Sequence, residues 1–484
     1  MFYYREKIPF KKLIAMVASI AIPVALQNLL STTGSMVDTI MIGSIGETSV
    51  GAVGLCAQFS SLMFSCYWGL LGGGTLFFSQ FYGAKDDDGV NRSYGLMIVS
   101  MMTVGIVFGV LGVLFPGSIM KIYTDKAVYQ EIGVRYLRIV GFAYPLQVFS
   151  MAASGLLRST DQVKIPLFAS IASVFTNMFL NYVLIFGHFG APALGVEGAA
   201  IATLCAAIVN VTLVLVLGKA AHYPYLFMFK DHFKWTVPAF KEYFIKCFPI
   251  ICNELAMGIS NLVINMVLGR QAVEAIAALA VFRTLEGLVI SFFSGFSSAS
   301  SVLVGNRVGA GKHEEAFYIA NRCVYLCAGT IFLVVSGLVI FHTPLLHLMG
   351  MRSEAFSYAT QMLIVYCVIA VLRMSNWISN DTCRASGDAV TGTVMEILFM
   401  YVLNIPLLCL GGLVWHLPFI LVFVFTYIDE PIRFVLMQIH MHAGGWVRPV
   451  TDQGKAALVQ FREDHPLRFF FTKLGLEKEQ TVKS

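Results

Sequence analysis

The sequence predicts an all-α, polytopic membrane protein with twelve transmembrane helices in two six-helix bundles related as parallel repeats. Three observations predict it. Only 13% of the 484 residues are charged while 57% are hydrophobic, and an ordinary soluble domain carries roughly 25% charged residues. Apolar runs recur from end to end, at the length of about 20 residues that crosses a bilayer core about 30 Å thick. The second half repeats landmarks of the first at a fixed offset. With a mean hydropathy of +0.75 and a net charge of only +5, the composition excludes a secreted disulfide scaffold, a disordered chain and a nucleic-acid binder. The ten cysteines are scattered, mostly in apolar runs and without a Cys-x-x-Cys, so they read as small buried hydrophobes.

In lipid the backbone must satisfy its own hydrogen bonds, so the apolar runs become helices. The spans are expected at 13–42, 50–82, 93–117, 133–157, 166–187, 195–218, 243–270, 275–308, 319–342, 358–383, 390–411 and 415–440. Arg5, Lys7, Lys11 and Lys12 precede the first. Its apolar stretch outruns the 7–15 residues of a signal peptide, so it reads as an uncleaved span, with Pro23 expected to bend it. Of the 33 basic residues, 24 fall in one set of loops and termini and only Lys121, Lys126, Arg270 and Arg352 in the other. Basic residues mark the cytoplasmic side, so both termini are expected in the cytoplasm and the chain in the cell membrane.

Shifted by 226 positions, Pro23 meets Pro249, Gly43 meets Gly269, Ala52 meets Ala278 and Gly69 meets Gly295. Gly83-Ala84 meets Gly309-Ala310, and Arg158 meets Arg384. These are mostly residues that set backbone geometry. Six spans per half make the repeat parallel, and repeated membrane halves hold substrates at their interface. The expected organisation is a first bundle over 1–218, a cytoplasmic linker over 219–242, a second bundle over 243–444 and a cytoplasmic tail over 445–484.

Ionisable groups inside spans are costly and are functional candidates by default. Asp38 lies on the first span, either as a functional carboxylate or as a solvated helix-end residue. Asn177 and Asn181, four apart, share a face of the fifth span, as a site or as interhelical hydrogen-bonding glue. Glu254, Asn261 and Asn265 form one stripe on the seventh, where Glu254 reads as a lone carboxylate. Arg283 and Glu286 on the eighth read as a structural pair, as do Glu430 and Arg433 on the twelfth. Arg373, Asn376, Asn380 and Arg384 follow one face of the tenth, with Arg384 at its cytoplasmic end and Asp381 off the stripe. Glu396, near a span end, is expected to be wet. Asn261, Asn265, Arg283, Glu286, Arg373 and Asn376 are the candidates for lining a substrate cavity. GAGKH at 309–313 lacks the spacing of a phosphate loop. No catalytic dyad or metal set is visible, so no enzyme and no cofactor is expected.

The segment IPVALQNLLSTTGSMVDTIMIGSIGETSVGAVGL running into SQFYGAKD, its echo in FPIICNELAMGISNLVINMVLG and VGNRVGAGK, and the pair LLRSTDQVKIP and CRASGDAV together resemble the multidrug and toxic compound extrusion (MATE) family over about residues 10–450. The resemblance implies two bundles forming a V, a cavity open alternately to each side, and efflux of cationic, lipophilic small molecules in exchange for H⁺ or Na⁺. In one branch an Asp on the first span and an Asn/Asp pair on the fifth form the coupling site. Asp38 and Asn177 match that pattern, and Asn181 stands where the Asp usually is. Thr203 joins this set, which would be the place for Na⁺. Another branch has a Glu on the seventh span, matched by Glu254, with Arg373 where that branch has a carboxylate. The coupling ion therefore stays open between H⁺ and Na⁺. The protein is expected to act as a monomer in the bilayer. A lipid or lipid-linked oligosaccharide flippase of the same broader superfamily is the alternative.

Overall fold

The computed structural model describes residues 8–228, 232–349, 351 and 353–464. Arg5, Lys7, Lys230, Arg352 and the basic residues from Arg468 onward lie outside them, as does the tail beyond 464. The first half contains α1 (Phe10–Gly43), α2 (Glu47–Gly83), α3 (Asp87–Leu114), α4 (Pro116–Tyr123), α5 (Ala127–Val140), α6 (Ala143–Ser159), α7 (Lys164–Phe186) and α8 (Val196–Ala220). The second contains α9 (Val237–Leu268), α10 (Val273–Gly309), α11 (His313–Ile340), α12 (His342–Leu348), α13 (Ser353–Ala385), α14 (Ala389–Phe399), α15 (Ile405–Cys409), α16 (Phe419–Phe425) and α17 (Glu430–Ala443), and α18 (Asp452–Asp464) follows.

Ten of the described helical segments are long and apolar enough to cross a membrane alone, and the bent pair α5–α6 makes an eleventh. The broken pair α16–α17 stands where the twelfth span is expected. Large apolar side chains such as Ile106, Val107, Val110, Leu111 and Leu114 on α3 stand exposed, as a lipid-facing surface requires. The 226-residue offset holds almost to the residue: α2, α3 and the α5–α6 pair shifted by it give the bounds of α10, α11 and α13.

The halves differ in where their helices break. The fourth span, expected as one helix, bends by 50° between α5 and α6. Pro145 supplies no N–H for the carbonyl of Gly141 four residues back, and the break falls there. Its counterpart α13 is continuous. The twelfth span, expected as one helix over 415–440, turns at 426–429 ahead of Pro431, and the eleventh carries two π-helical turns, Met400–Asn404 and Leu410–Val414. Non-helical backbone at membrane depth survives only where other groups satisfy it. Here the Asn404 amide donates to the Thr426 carbonyl at 2.8 Å.

The chain divides into two compact units. One holds Met1–Ala21, Ser79–Asp86 and Cys252–Ser484, and the other Ile22–Phe78 and Asp87–Ile251. The first has an apolar core around Phe282, Tyr366, Phe423 and Tyr427. Within it the end of α2 crosses the end of α10 at two glycines. A Cβ on Gly83 would overlap the Asn306 carbonyl, and one on Gly309 would overlap that of Gln80. Since 83 and 309, and 80 and 306, are each 226 apart, this crossing is a contact repeated with its partners exchanged, and small residues let the two backbones meet. In the same unit the chain after α17 turns back. Trp446 is fully buried, the Arg448 N–H donates to Ser386 O at 2.9 Å, and Thr451 Oγ1 donates to Gly309 O at 2.7 Å. In the second unit the segment after α8 does likewise: Tyr223 and Thr160 share a hydroxyl hydrogen bond of 2.5 Å, and His232 packs edge-on to Tyr94.

Candidate functional site

The second unit brings Asp38, Asn177 and Asn181 together. Asn181 lies on α7 and is buried. Its amide nitrogen donates to Asp38 Oδ1 on α1 and to Asn177 Oδ1 one turn earlier at 3.2 Å. The i, i+4 spacing puts the two amides against each other on one face of α7, with Asn181 reaching Asp38. Thr203, on α8, donates to the Ala199 carbonyl at 3.0 Å, and the Tyr136 hydroxyl reaches Thr203 from α5. Tyr136 was not singled out in the sequence, because a tyrosine among apolar residues carries no signal of its own. Ile42, Ile185 and Ala199 close the cluster with apolar surface. Asp38 is half-buried, so one carboxylate, held by an amide N–H, is presented in a mostly apolar setting.

The first unit contains a cavity of about 210 Å³ between α9, α13, α14 and the broken twelfth span. Glu254, Asn261, Arg283 and Arg373 line it, and so do Asp381, Arg384, Glu396, Asp429, Glu430 and Arg433. Asn265 is exposed and is not among the lining residues. Asn376 lies behind the cavity, where its amide donates to Glu430 Oε2 at 2.7 Å.

The charged residues form one ladder of alternating sign. Buried Glu286 receives Arg283 at 2.9 Å, Arg373 and the Tyr427 hydroxyl at 2.9 Å. Arg373 also faces Glu430 at 4.0 Å, and Arg433 meets Glu430 at 3.7 Å, Asp429 at 3.2 Å and Glu396 at 2.9 Å. Arg384 faces Glu396 at 3.8 Å, Asp381 at 3.4 Å and Glu254 at 3.8 Å. Arg283 and Glu286 pair as the sequence suggested, and Arg373 joins them on the same carboxylate. Two readings of the sequence are corrected by this. Glu254 is not a lone carboxylate, because Arg384 stands beside it. Glu396 is not wet: it is buried and accepts hydrogen bonds from Asn253 at 2.9 Å and Asn380 at 3.0 Å. Arg384, in the last turn of α13, is 9% exposed. Such a set can bind a positive charge at its more accessible carboxylates, Glu254 and Asp381, whose side chains are 28% and 26% exposed.

The MatE family profile matches residues 23–183 and again 249–410, two stretches whose starts are offset by the same 226 positions. Among curated proteins the chain is similar to the probable multidrug resistance protein YoeA of Bacillus subtilis, at 23% identity over 80% of this chain and 84% of the relative. It is also similar to the probable multidrug resistance protein NorM of Neisseria meningitidis serogroup B, at 22% identity over 73% of this chain and 78% of the relative. Among solved structures, an outward-facing multidrug resistance MATE family transporter of the MOP superfamily shares the fold. It has a TM-score of 0.79 and 18% identity, over 91% of this chain and 99% of the other. A MOP superfamily transporter from Pyrococcus furiosus, described as having a binding pocket of reversed polarity, follows at a TM-score of 0.77 and 18% identity, over 91% and 99%. With its profile matched in both halves and its fold shared over nine-tenths of its length, this chain belongs to the MatE family, the multidrug and toxic compound extrusion transporters the sequence resembles.

Proposed function

We propose that the protein is a secondary active multidrug efflux transporter that exchanges cationic, lipophilic compounds for H⁺ or Na⁺ by alternating access. Its organisation is read as a first bundle over 1–218, a linker over 219–242, a second bundle over 243–444 and a tail, with both termini in the cytoplasm of a cell whose plasma membrane it spans. The observation that carries the reading is the Asp38–Asn181–Asn177 cluster. A carboxylate in an apolar setting can bind a cation arriving from outside and give it up inside. Differential binding of that cation by two conformations then drives the exchange, and each charge crossing the full potential gains about 2.3 kcal/mol per 100 mV. Beside Asp38 the Asn181 side chain presents its N–H, a donor, where a metal ion would want oxygen. That arrangement favours H⁺ over Na⁺, which would draw on Asn177, Asn181 and Thr203 oxygens. The flippase reading needs a cationic cavity. Arg283 and Arg373 are both paired with Glu286, which favours efflux of cations instead.

The test is ethidium efflux from proteoliposomes under imposed pH or Na⁺ gradients, with Asp38→Asn and Glu254→Gln. Wild-type efflux driven by a pH gradient, and its loss by at least tenfold in Asp38→Asn, is the expected result. Full ion-driven efflux in both variants would overturn the coupling assignment.

A further inference from the structure

Arg384 is the least committed cation of the ladder. Charge-assisted N–H···O⁻ bonds run at about 2.7–2.9 Å. Arg384 meets Asp381 at 3.4 Å and both Glu254 and Glu396 at 3.8 Å. Its Nε and Nη2 are buried and make no hydrogen bond among the described residues, which is rare for buried donors. Arg158, its counterpart in the first half, instead donates through Nη2 to Gln27 Oε1 at 2.9 Å. Three elements face Arg384 with charge. Glu254 comes from α9, Asp381 from its own helix α13, and Glu396 from α14, with Arg433 of α17 on the far side of Glu396 at 2.9 Å. The guanidinium therefore sits between the accessible carboxylate Glu254 and the buried one, Glu396, and is closed on neither.

We propose that Arg384 is a tethered counter-cation that competes with the transported cation for Glu254 and, once displaced, closes on Glu396, so that cation arrival at α9 is passed to α14. This rests on the reading of the protein as a cation-coupled transporter. Arg384 is a positioning residue, acting through Glu254 and Glu396. A movement of about 1 Å brings Nη2 from 3.8 Å into hydrogen-bonding range of Glu396. It also satisfies a donor that is now bare. No bond is made or broken; one ion pair is exchanged for another.

Trp377 supplies a readout that does not depend on transport. It lines the same cavity and donates to Asp381 Oδ2 at 2.9 Å. The experiment titrates the purified protein in detergent micelles with H⁺, and separately with NaCl. It follows the Trp377-dependent part of the emission by difference against Trp377→Phe. In Arg384→Gln the half-saturating concentration of the effective cation should fall about tenfold, because Glu254 has lost its internal competitor. Arg384→Lys keeps the charge and should stay within about threefold of wild type. Glu396→Gln removes the alternative partner, leaves Arg384 on Glu254, and should raise the half-saturating concentration severalfold. A purely structural arginine would lower thermal stability in all these variants without moving the midpoint. Unchanged midpoints in Arg384→Gln and Glu396→Gln overturn the proposal. If Arg384→Gln does not fold, an unshifted Glu396→Gln overturns it alone. A wild-type emission that responds to neither cation overturns it as well. Failure of wild-type vesicles to expel ethidium would refute the multidrug reading while these midpoints still decide on Arg384.

Discussion

Arg158 and Arg384 occupy the same place in the two repeats, and so do Gln27 and Asn253, and Ser170 and Glu396. In the first half the three make a hydrogen-bonded chain that carries one guanidinium and no carboxylate: Arg158 donates to Gln27 at 2.9 Å, and Gln27 donates to Ser170 at 2.8 Å. In the second half Asn253 donates to Glu396 at 2.9 Å, and Arg384 stands off from it at 3.8 Å. The contrast spreads outward. Glu254, Glu286 and Arg373 correspond to Asn28, Ser60 and Gln147, whereas Asp38, Asn177 and Asn181 correspond to Ile264, Leu403 and Leu407. One duplicated scaffold thus sets one carboxylate, Asp38, beside neutral amides in one half and carries a ladder of paired charges in the other. The same backbone geometry holds one buried guanidinium on a neutral acceptor in the first half and several on carboxylates in the second, provided no pair in the ladder loses one member.

The largest expected effect tests that proviso. Glu286 is 3% exposed and joins Arg283, Arg373 and Tyr427. Glu286→Gln leaves two arginines facing a neutral amide, and breaking such a buried pair costs about 3–5 kcal/mol. Its counterpart Ser60 shares a hydroxyl hydrogen bond of 2.8 Å with Tyr144, so Ser60→Ala should cost about 1 kcal/mol. Denaturation of both variants in detergent gives the comparison. Equal losses would mean that the ladder is solvated and the halves are energetically alike.

A smaller effect appears where the chain folds back after the last span. Asp388, fully buried between α13 and α14, accepts from His440 Nε2 at 2.8 Å and pairs with Arg448 at 3.3 Å. Burial alone would raise its carboxyl, but the His440 hydrogen bond and the Arg448 charge outweigh that and hold it below its ordinary value of 3.8. A depressed carboxyl contributes stability that is present above the unfolded value and lost as pH falls through the folded one. Wild type should therefore be more stable than Asp388→Asn at pH 5–8, and the gap should close as pH drops below about 4. The matched residue in the first half is Gln162, so Gln162→Ala should show no such pH dependence. A gap that stays constant down to pH 3 would remove Asp388 as the difference between the two ends.

The fold was legible because its determinants are local. An apolar run of about 20 residues announces a span wherever it occurs, and Pro23/Pro249 and Gly83/Gly309 announced the repeat. Asn177 and Asn181 were legible too, since four residues along a helix is one face. The ladder was not. Glu286 finds Arg373 at a separation of 87 residues and Tyr427 at 141, and no periodicity in either helix points to the other. Glu396 was misplaced for a related reason. Hydropathy puts it near a span end, but what keeps it dry is the approach of Asn253, Asn380 and Arg433 from three other segments. The breaks at Pro145 and Pro431 were visible as prolines, whereas Pro23 and Pro249 lie inside unbroken helices. Whether a proline interrupts a helix depends on neighbours the local sequence does not name.

The smallest effect concerns the helix ends that the repeats share. α2 and α10 end alike: the Asp86 N–H bonds Phe81 O at 2.9 Å and the Lys312 N–H bonds Arg307 O at 2.8 Å, the six-to-one closure of a helix that stops on a left-handed residue. That residue is Lys85 in the first half, with φ +58°, and Gly311 in the second, with φ +73°. A side chain in this region costs roughly 1–2 kcal/mol, which glycine avoids. Glycine also loses more entropy on folding, so Lys85→Gly should gain about 0.5–1 kcal/mol net, seen as a rise of about 1–2 °C in Tm. Gly311→Ala should do the reverse, because its Cβ would also meet Ala457 of α18 at 2.8 Å. A loss of stability in Lys85→Gly would mean that the lysine side chain holds something in the first half that the second half does without, and the two ends would then be alike only in their backbone.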